Sequence, residues 1–171
     1  MGDNTMKESI WVCRSGKSAC YLSSFLNERK IFVPWEGYNI DLTTVESREE
    51  IKELVRKEKN VSNPITVSNW AGMLFSFIHQ MKKGDYVLIP EYKSRFYILG
   101  KIQSDYKYER ENLELHHSRE IDIIEKHIPR SVFPQSIQYS LGAFRSIFRL
   151  KQVDEIIDSI STWDNQTKGN E

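Results

Sequence analysis

Cysteine is almost absent from this chain. Cys13 and Cys20 are the only two in 171 residues, too few for a disulfide framework and without the close pairing of a zinc site. Net charge is absent too: Lys+Arg and Asp+Glu are both 24, so bulk charge announces neither nucleic acid nor an anionic membrane. A balanced total can still hide a basic face, and from His79 to Lys151 there are 13 Lys/Arg against 9 Asp/Glu. No apolar run reaches transmembrane length and no signal peptide opens the chain, so the reducing cytoplasm and free thiols are expected, without a membrane partner. Internal repeats, low-complexity tracts and linkers are missing as well. The length suits one domain over residues 10–150, a helix over 151–163, and disordered polar ends at 1–9 and 164–171.

What is present is clearest in SNWAGMLFSFIHQMKKGDYVLIPEYKSRFYILGK, from Ser68 to Lys101. Trp70, Met73, Leu74, Phe77, Ile78 and Met81 recur at helical spacing and make one wide apolar stripe. Ser68 or Asn69 is the expected N-cap, and Lys82, Lys83 and Gly84 mark the end. Tyr86–Ile89 and Phe96–Leu99 then read as a buried hairpin across Glu91–Arg95.

Around this unit, Ile10–Cys13 reads as a strand, Ser18–Asn27 as a helix and Ile31–Val33 as a second strand running into a loop at Pro34. Thr43 and Glu46 have capping-box spacing and predict a surface helix over Val45–Lys59. Asn60–Thr66 reads as a loop. Tyr106–Tyr108 and part of Leu113–Glu125 read as strands, with a turn at Ile128–Arg130 and a short helix near Ser131–Phe133. Ser140–Arg149 suits helix or strand, and Val153, Ile156, Ile157, Ile160 and Trp163 mark a terminal amphipathic helix. Strands in the middle and helices at both ends predict an α+β fold.

Several familiar chemistries fail on spacing. Gly16-Lys17-Ser18 follows a strand, but a phosphate loop needs a glycine five positions earlier, where Trp11 stands. Glu50-Ile51-Lys52 has nuclease-like spacing but lies in a charged helix, away from the converging strands that metal-assisted cleavage uses. Adjacent His116 and His117 point to opposite faces of a strand, and no signature ties a cysteine or serine nucleophile to a histidine. Neither catalysis, nor a metal, nor a cofactor is expected. The remaining pattern is aromatic and basic. Trp11, Trp35, Tyr38, Trp70, Tyr106 and Tyr108 sit at strand ends or beside turns, with Arg14, Lys17, Arg95, Lys101, Arg119, Arg130, Arg145 and Arg149 among them. Nucleic-acid sites use this mixture, cations for phosphates and aromatic faces for bases. Trp11 and Trp70 lie within apolar periodicity and suit the core, whereas Trp35, in its loop, suits a site.

The order of signatures resembles the amino-terminal domain of many Mrr-like restriction endonucleases, itself similar to the EVE and PUA-like families. The residues that carry the resemblance are Trp11-Val12-Cys13-Arg14, Trp35, Gly84-Asp85, Leu99-Gly100 and Tyr106-Lys107-Tyr108, within Ile10–Leu150. Pro34 and Ile123-Ile124 depart from the family pattern. The resemblance implies a curved β-sheet or small barrel with flanking helices. It also implies a non-catalytic reader of DNA or RNA, for a modified or flipped base, in a restriction or anti-phage setting beside a separately encoded nuclease or effector. Arg14, Lys17 and Lys101 would hold the backbone, Trp35, Tyr38, Tyr106 and Tyr108 would receive a base, and Asp85 would read its edge or cap the turn. The terminal helix would dock a partner or a second copy. A small-molecule or nucleotide sensor and a protein-interaction adaptor are the alternatives. A concave aromatic pocket without basic surroundings would favour the first, and a filled barrel with an exposed apolar patch the second.

Overall fold

The computed structural model describes residues 7–35, 38–112 and 114–169. It is an α+β fold built on one mixed sheet that curls into a half-barrel. The strands are β1 (Ile10–Cys13), β2 (Lys30–Phe32), β3 (Tyr86–Pro90), β4 (Phe96–Ile102), β5 (Lys107–Tyr108), β6 (His117–Pro129) and β7 (Ile147–Leu150). Their order is β2-β6-β4-β3-β1-β7, with β5 paired to β6 off this path. Among the described residues only β1 and β3 pair in parallel, and β7 ends the path, with one side of that strand unpaired in the sheet.

Both faces of the sheet are covered, which explains why its strands read as unbroken apolar runs. Side chains alternate between two cores. Trp11, Cys13, Val87, Ile89 and Ile98 face α1 (Leu22–Glu28), α2 (Arg48–Lys59) and α3 (Pro64–Phe75). Ile10, Val12, Leu88, Tyr97 and Leu99 face α4 (Gln135–Ser140) and α5 (Val153–Lys168). Gly100 pairs with Val87 on one side and Ile123 on the other, beside a register shift. A Cβ there would meet Asp122 O, Ile121 Cδ1 and Val87 Cγ1, each at 3.3 Å, so glycine permits the close strand approach at the bend.

Local chemistry moved several boundaries. The central helix begins at Pro64 and not at Ser68, because Asn63 caps it, its side chain accepting from Ile65 N (2.9 Å) and Thr66 N (3.3 Å), with proline at the first position. It closes in a π turn over Ser76–Gln80. Its expected stripe is buried, with Trp70 only partly so. The second helix is capped by Ser47, which accepts from Glu50 N (3.2 Å), while Glu50 reaches back to Glu46 N. The expected Thr43 cap is spent instead on Asp41, which accepts from both its N–H and its hydroxyl. Ser18–Asn27 splits into a 3-10 turn and α1, and the ambiguous Ser140–Arg149 supplies β7. Helix α5 runs to Lys168, past the expected limit at Trp163, with Lys168 paired to Asp164 one turn back (3.0 Å).

Two expectations about the ends change. Residues 1–6 lie outside the described residues, but Ser9 is held, its N–H donating to Asp85 (3.0 Å) and its carbonyl accepting from Tyr86 N (2.9 Å). Ile156 and Ile160, expected to offer a docking face, are buried against the chain's own sheet. No helix among the described residues is long and apolar enough to cross a membrane.

The buried carboxylate of Asp85 ties the sheet to the end of the central helix. It accepts from Ser9 N, Trp11 Nε1 and Lys82 N, all at 3.0 Å. Asp85→Asn removes the acceptor shared by Trp11 and Lys82. Urea denaturation should show a loss of about 3 kcal/mol, against less than about 0.5 kcal/mol for Asp122→Asn on the exposed side of β6. Cys13 is buried and its thiol is pushed far up by desolvation, whereas Cys20 is exposed. A thiol reagent should therefore label one cysteine in the folded protein and two in denaturant.

Candidate nucleic-acid interface

A concavity lined by three arginines lies between the central helix and β7, at the end of the sheet. It is a groove of about 310 Å³. Antiparallel pairing places Arg149 of β7 directly opposite Trp11 of β1, and the guanidinium lies over the indole with 5.4 Å between its carbon and the ring centroid. Trp11 is in turn fixed by Asp85, so a chain of two contacts orients this cation from the core outwards.

Arg48, at the start of α2, reaches the groove from the other side. Its Nη2 donates to Ser68 O (2.9 Å) and Ser68 Oγ (3.1 Å), which leaves its remaining donors available. Gly72 makes room for it, since a Cβ there would stand 3.0 Å from Nη2. Arg145 precedes β7 and completes the set. Ser68, Asn69, Ser76 and Gln80 form a polar stripe on the helical side, and no Asp or Glu is among the described lining residues. None of the three arginines forms an ion pair among the described residues. Three guanidinium groups around one groove without a carboxylate make a site for an anion, and their planar forks match phosphate oxygens.

Residues 11–151 match the family described as a domain of unknown function, DUF8426. The chain belongs to this family. No curated protein matches it. The lining of the groove of this DUF8426 domain, Trp11, Arg48, Arg145, Arg149 and the helical stripe included, falls within the matched region.

The residues singled out from sequence do not assemble in the domain as one base-receiving pocket. Arg14 is spent on the loop before β7, donating to Leu141 O (3.1 Å), Ala143 O (2.7 Å) and Arg145 O (3.2 Å). Lys17 is exposed on the 3-10 turn that follows Gly16, and Lys101 lies over the ring of Tyr86, its cross-strand partner. Asp85 is occupied by its three donors. Arg119, also expected on the surface, is buried, donating to Phe77 O, Ile78 O and Ser104 O at 2.8–3.1 Å, so it closes the end of the central helix.

Trp35, Tyr38, Tyr106 and Tyr108 do come together, with the three tyrosine rings around His117 and Trp35 joined to them through Tyr38. Trp35 lies on Trp70 (5.4 Å between centroids) and meets Tyr38 edge-on (6.3 Å). Tyr38 is buried, so a base would have to displace core to stack on it. Tyr108 lies against His116 and His117 while its hydroxyl donates to Asn39 O (2.6 Å). The expected loop beyond Trp35 includes Glu36 and Gly37, which lie outside the described residues.

His117 organises this cluster. Its Nε2 faces Tyr38 O (2.9 Å), which can only accept, so the ring proton belongs there. Nδ1 then accepts from Tyr106 OH (2.6 Å), whose oxygen accepts from Leu42 N (3.4 Å). Burial drives its pKa down to about 4, with the neighbouring His116 acting in the same direction.

Arg48 was the residue that sequence reasoning missed, because in a charged helix it looks like any solvated side chain. Its one-dimensional neighbours carry no sign of the groove, which exists only once α2 meets α3. The His117 network makes a separate prediction. With its folded pKa below the unfolded value of about 6.5, the unfolded chain binds the proton first as pH falls. Stability from this group is complete above pH ~6.5 and falls towards pH ~4 by about 3 kcal/mol. His117→Gln, which keeps a donor and an acceptor but cannot titrate, should flatten that part of the curve in urea melts at stepped pH.

Proposed function

We propose that this chain is a non-catalytic nucleic-acid reader with a PUA-like curled sheet, holding the sugar–phosphate backbone in the groove of Arg48, Arg145 and Arg149. The observation that carries the reading is the meeting of three arginines, free of ion pairs, in a groove whose described lining has no carboxylate. In a chain with equal numbers of acidic and basic residues, such segregation costs repulsion in the free protein, and a polyanion offsets it. Charged residues also protect sheet edges from pairing, but that task needs neither one sign nor a contribution from α2.

The helix, strand and turn signatures shared with the Mrr-associated domains support the same reading, as does the half-barrel sheet. The setting they suggest is restriction or anti-phage defence beside a separate effector. Within the proposal, the ring cluster around His117 serves as support and the groove makes the contacts. A nucleotide-sensor reading has one point in its favour, since the groove volume is at the lower end of small-ligand pockets.

The test is a titration of labelled plain and base-modified oligonucleotides of increasing length between about 50 and 200 mM salt. Affinity should fall with salt and rise with length, and Arg145→Ala or Arg149→Ala should each reduce the salt slope by about 1. Trp35→Ala should leave that slope unchanged. Binding that saturates at a single nucleotide would favour the sensor, and the absence of salt-dependent binding to any oligonucleotide would overturn the reading.

A further inference from the structure

Phe144 is fully exposed, and it is the residue immediately before Arg145. A single exposed aromatic is ordinary on a protein surface. This one differs in how its backbone is held. Arg14 donates through its side chain to the carbonyls of Leu141, Ala143 and Arg145 and through its N–H to Ser146 O (2.8 Å), so the residues on both sides of Phe144 are clamped. The turn closes on itself as well, with Gly142 N donating to Tyr139 O (3.1 Å) and Ala143 N to Ser140 O (3.2 Å). Tyr139, at the other end of this turn, is also largely exposed.

A flexible loop would fold an exposed phenyl ring onto the nearest apolar surface. The clamped turn holds it in water beside a groove lined with arginines. The ring has an apolar face to cover, and its neighbour attracts phosphate. A nucleotide with an unstacked base satisfies both at once, whereas a duplex keeps its base faces covered. We infer that this domain takes single-stranded nucleic acid, with a base stacked on Phe144 while Arg145 and Arg149 hold the adjoining phosphates. Arg14 is then a positioning residue. The inference rests on the backbone-binding reading above and names its substrate class.

The experiment compares a labelled single strand of about 12 nucleotides with the matching duplex, across the same salt range, for wild type, Phe144→Ala, Phe144→Trp and Arg149→Ala. The single strand should bind more tightly than the duplex. Phe144→Ala should weaken single-strand binding by about 5- to 100-fold, leave duplex binding and the salt slope unchanged, and be rescued by Phe144→Trp. Arg149→Ala should lower the slope for both ligands. Salt-dependent binding that Phe144→Ala leaves intact, or weakens equally for both ligands, would overturn this inference and leave the backbone reading standing. No salt-dependent binding to either ligand would overturn both.

Discussion

The carboxylate of Asp85 is the constraint from which the site is built. The buried anion is satisfied by three N–H groups that converge on it, from Ser9, the Trp11 indole and Lys82, with the charge of the buried Arg119 acting on it as well. Those donors belong to three parts of the fold: the residue leading into β1, a side chain in the middle of β1, and the turn that ends the central helical unit. Satisfying one carboxylate therefore fixes the parallel β1–β3 pair against the helix and sets the plane of the indole. Arg149 lies on that plane. One cation of the groove is thus oriented by a hydrogen bond in the core.

The arginines of this protein divide by what satisfies them. Arg119 and Arg14 are taken up by backbone carbonyls, the first at the end of the central helix and the second around the turn before β7. Arg130 donates in the same way to Gln138 O. Carbonyl dipoles disperse a cation without neutralising it, so such residues stiffen the structure and leave positive potential behind. Among the described residues Arg145 and Arg149 have no such partners, and Arg48 has them at one nitrogen only. Rigid loop and free cations occur together at the end of the sheet because the same strand, β7, carries one and adjoins the other.

Much of the scaffold was readable in advance. The strand at Ile10–Cys13, the hairpin of Tyr86–Ile89 with Phe96–Leu99, and the buried face of the central helix follow from apolar runs and helical spacing. Cap positions were harder. Thr43 and Ser47 both precede a glutamate at capping-box distance, and Asn63, Ser68 and Asn69 all accept well. Which one caps depends on competing local bonds, such as Asp41 to Thr43, and on Pro64 fixing the first helical residue. The site was least legible. Arg14, Tyr38 and Asp85 were reasonable candidates by type, yet burial and hydrogen bonding assign them to structure, while Arg48 carried no distinguishing mark in one dimension.

The amino-acid sequence by itself determined that this chain makes an α+β fold with two-sided strands and an uncharged total, because periodicity and composition are local and additive. The tertiary structure alone decided which cations are free. That outcome depends on register, which sets Arg149 opposite Trp11, and on the packing of α2 against the central helix, which brings Arg48 across Gly72. Both bring together residues far apart in the chain, and whether a guanidinium finds a carbonyl, a carboxylate or water there is a property of three-dimensional neighbours that no spacing along the chain encodes.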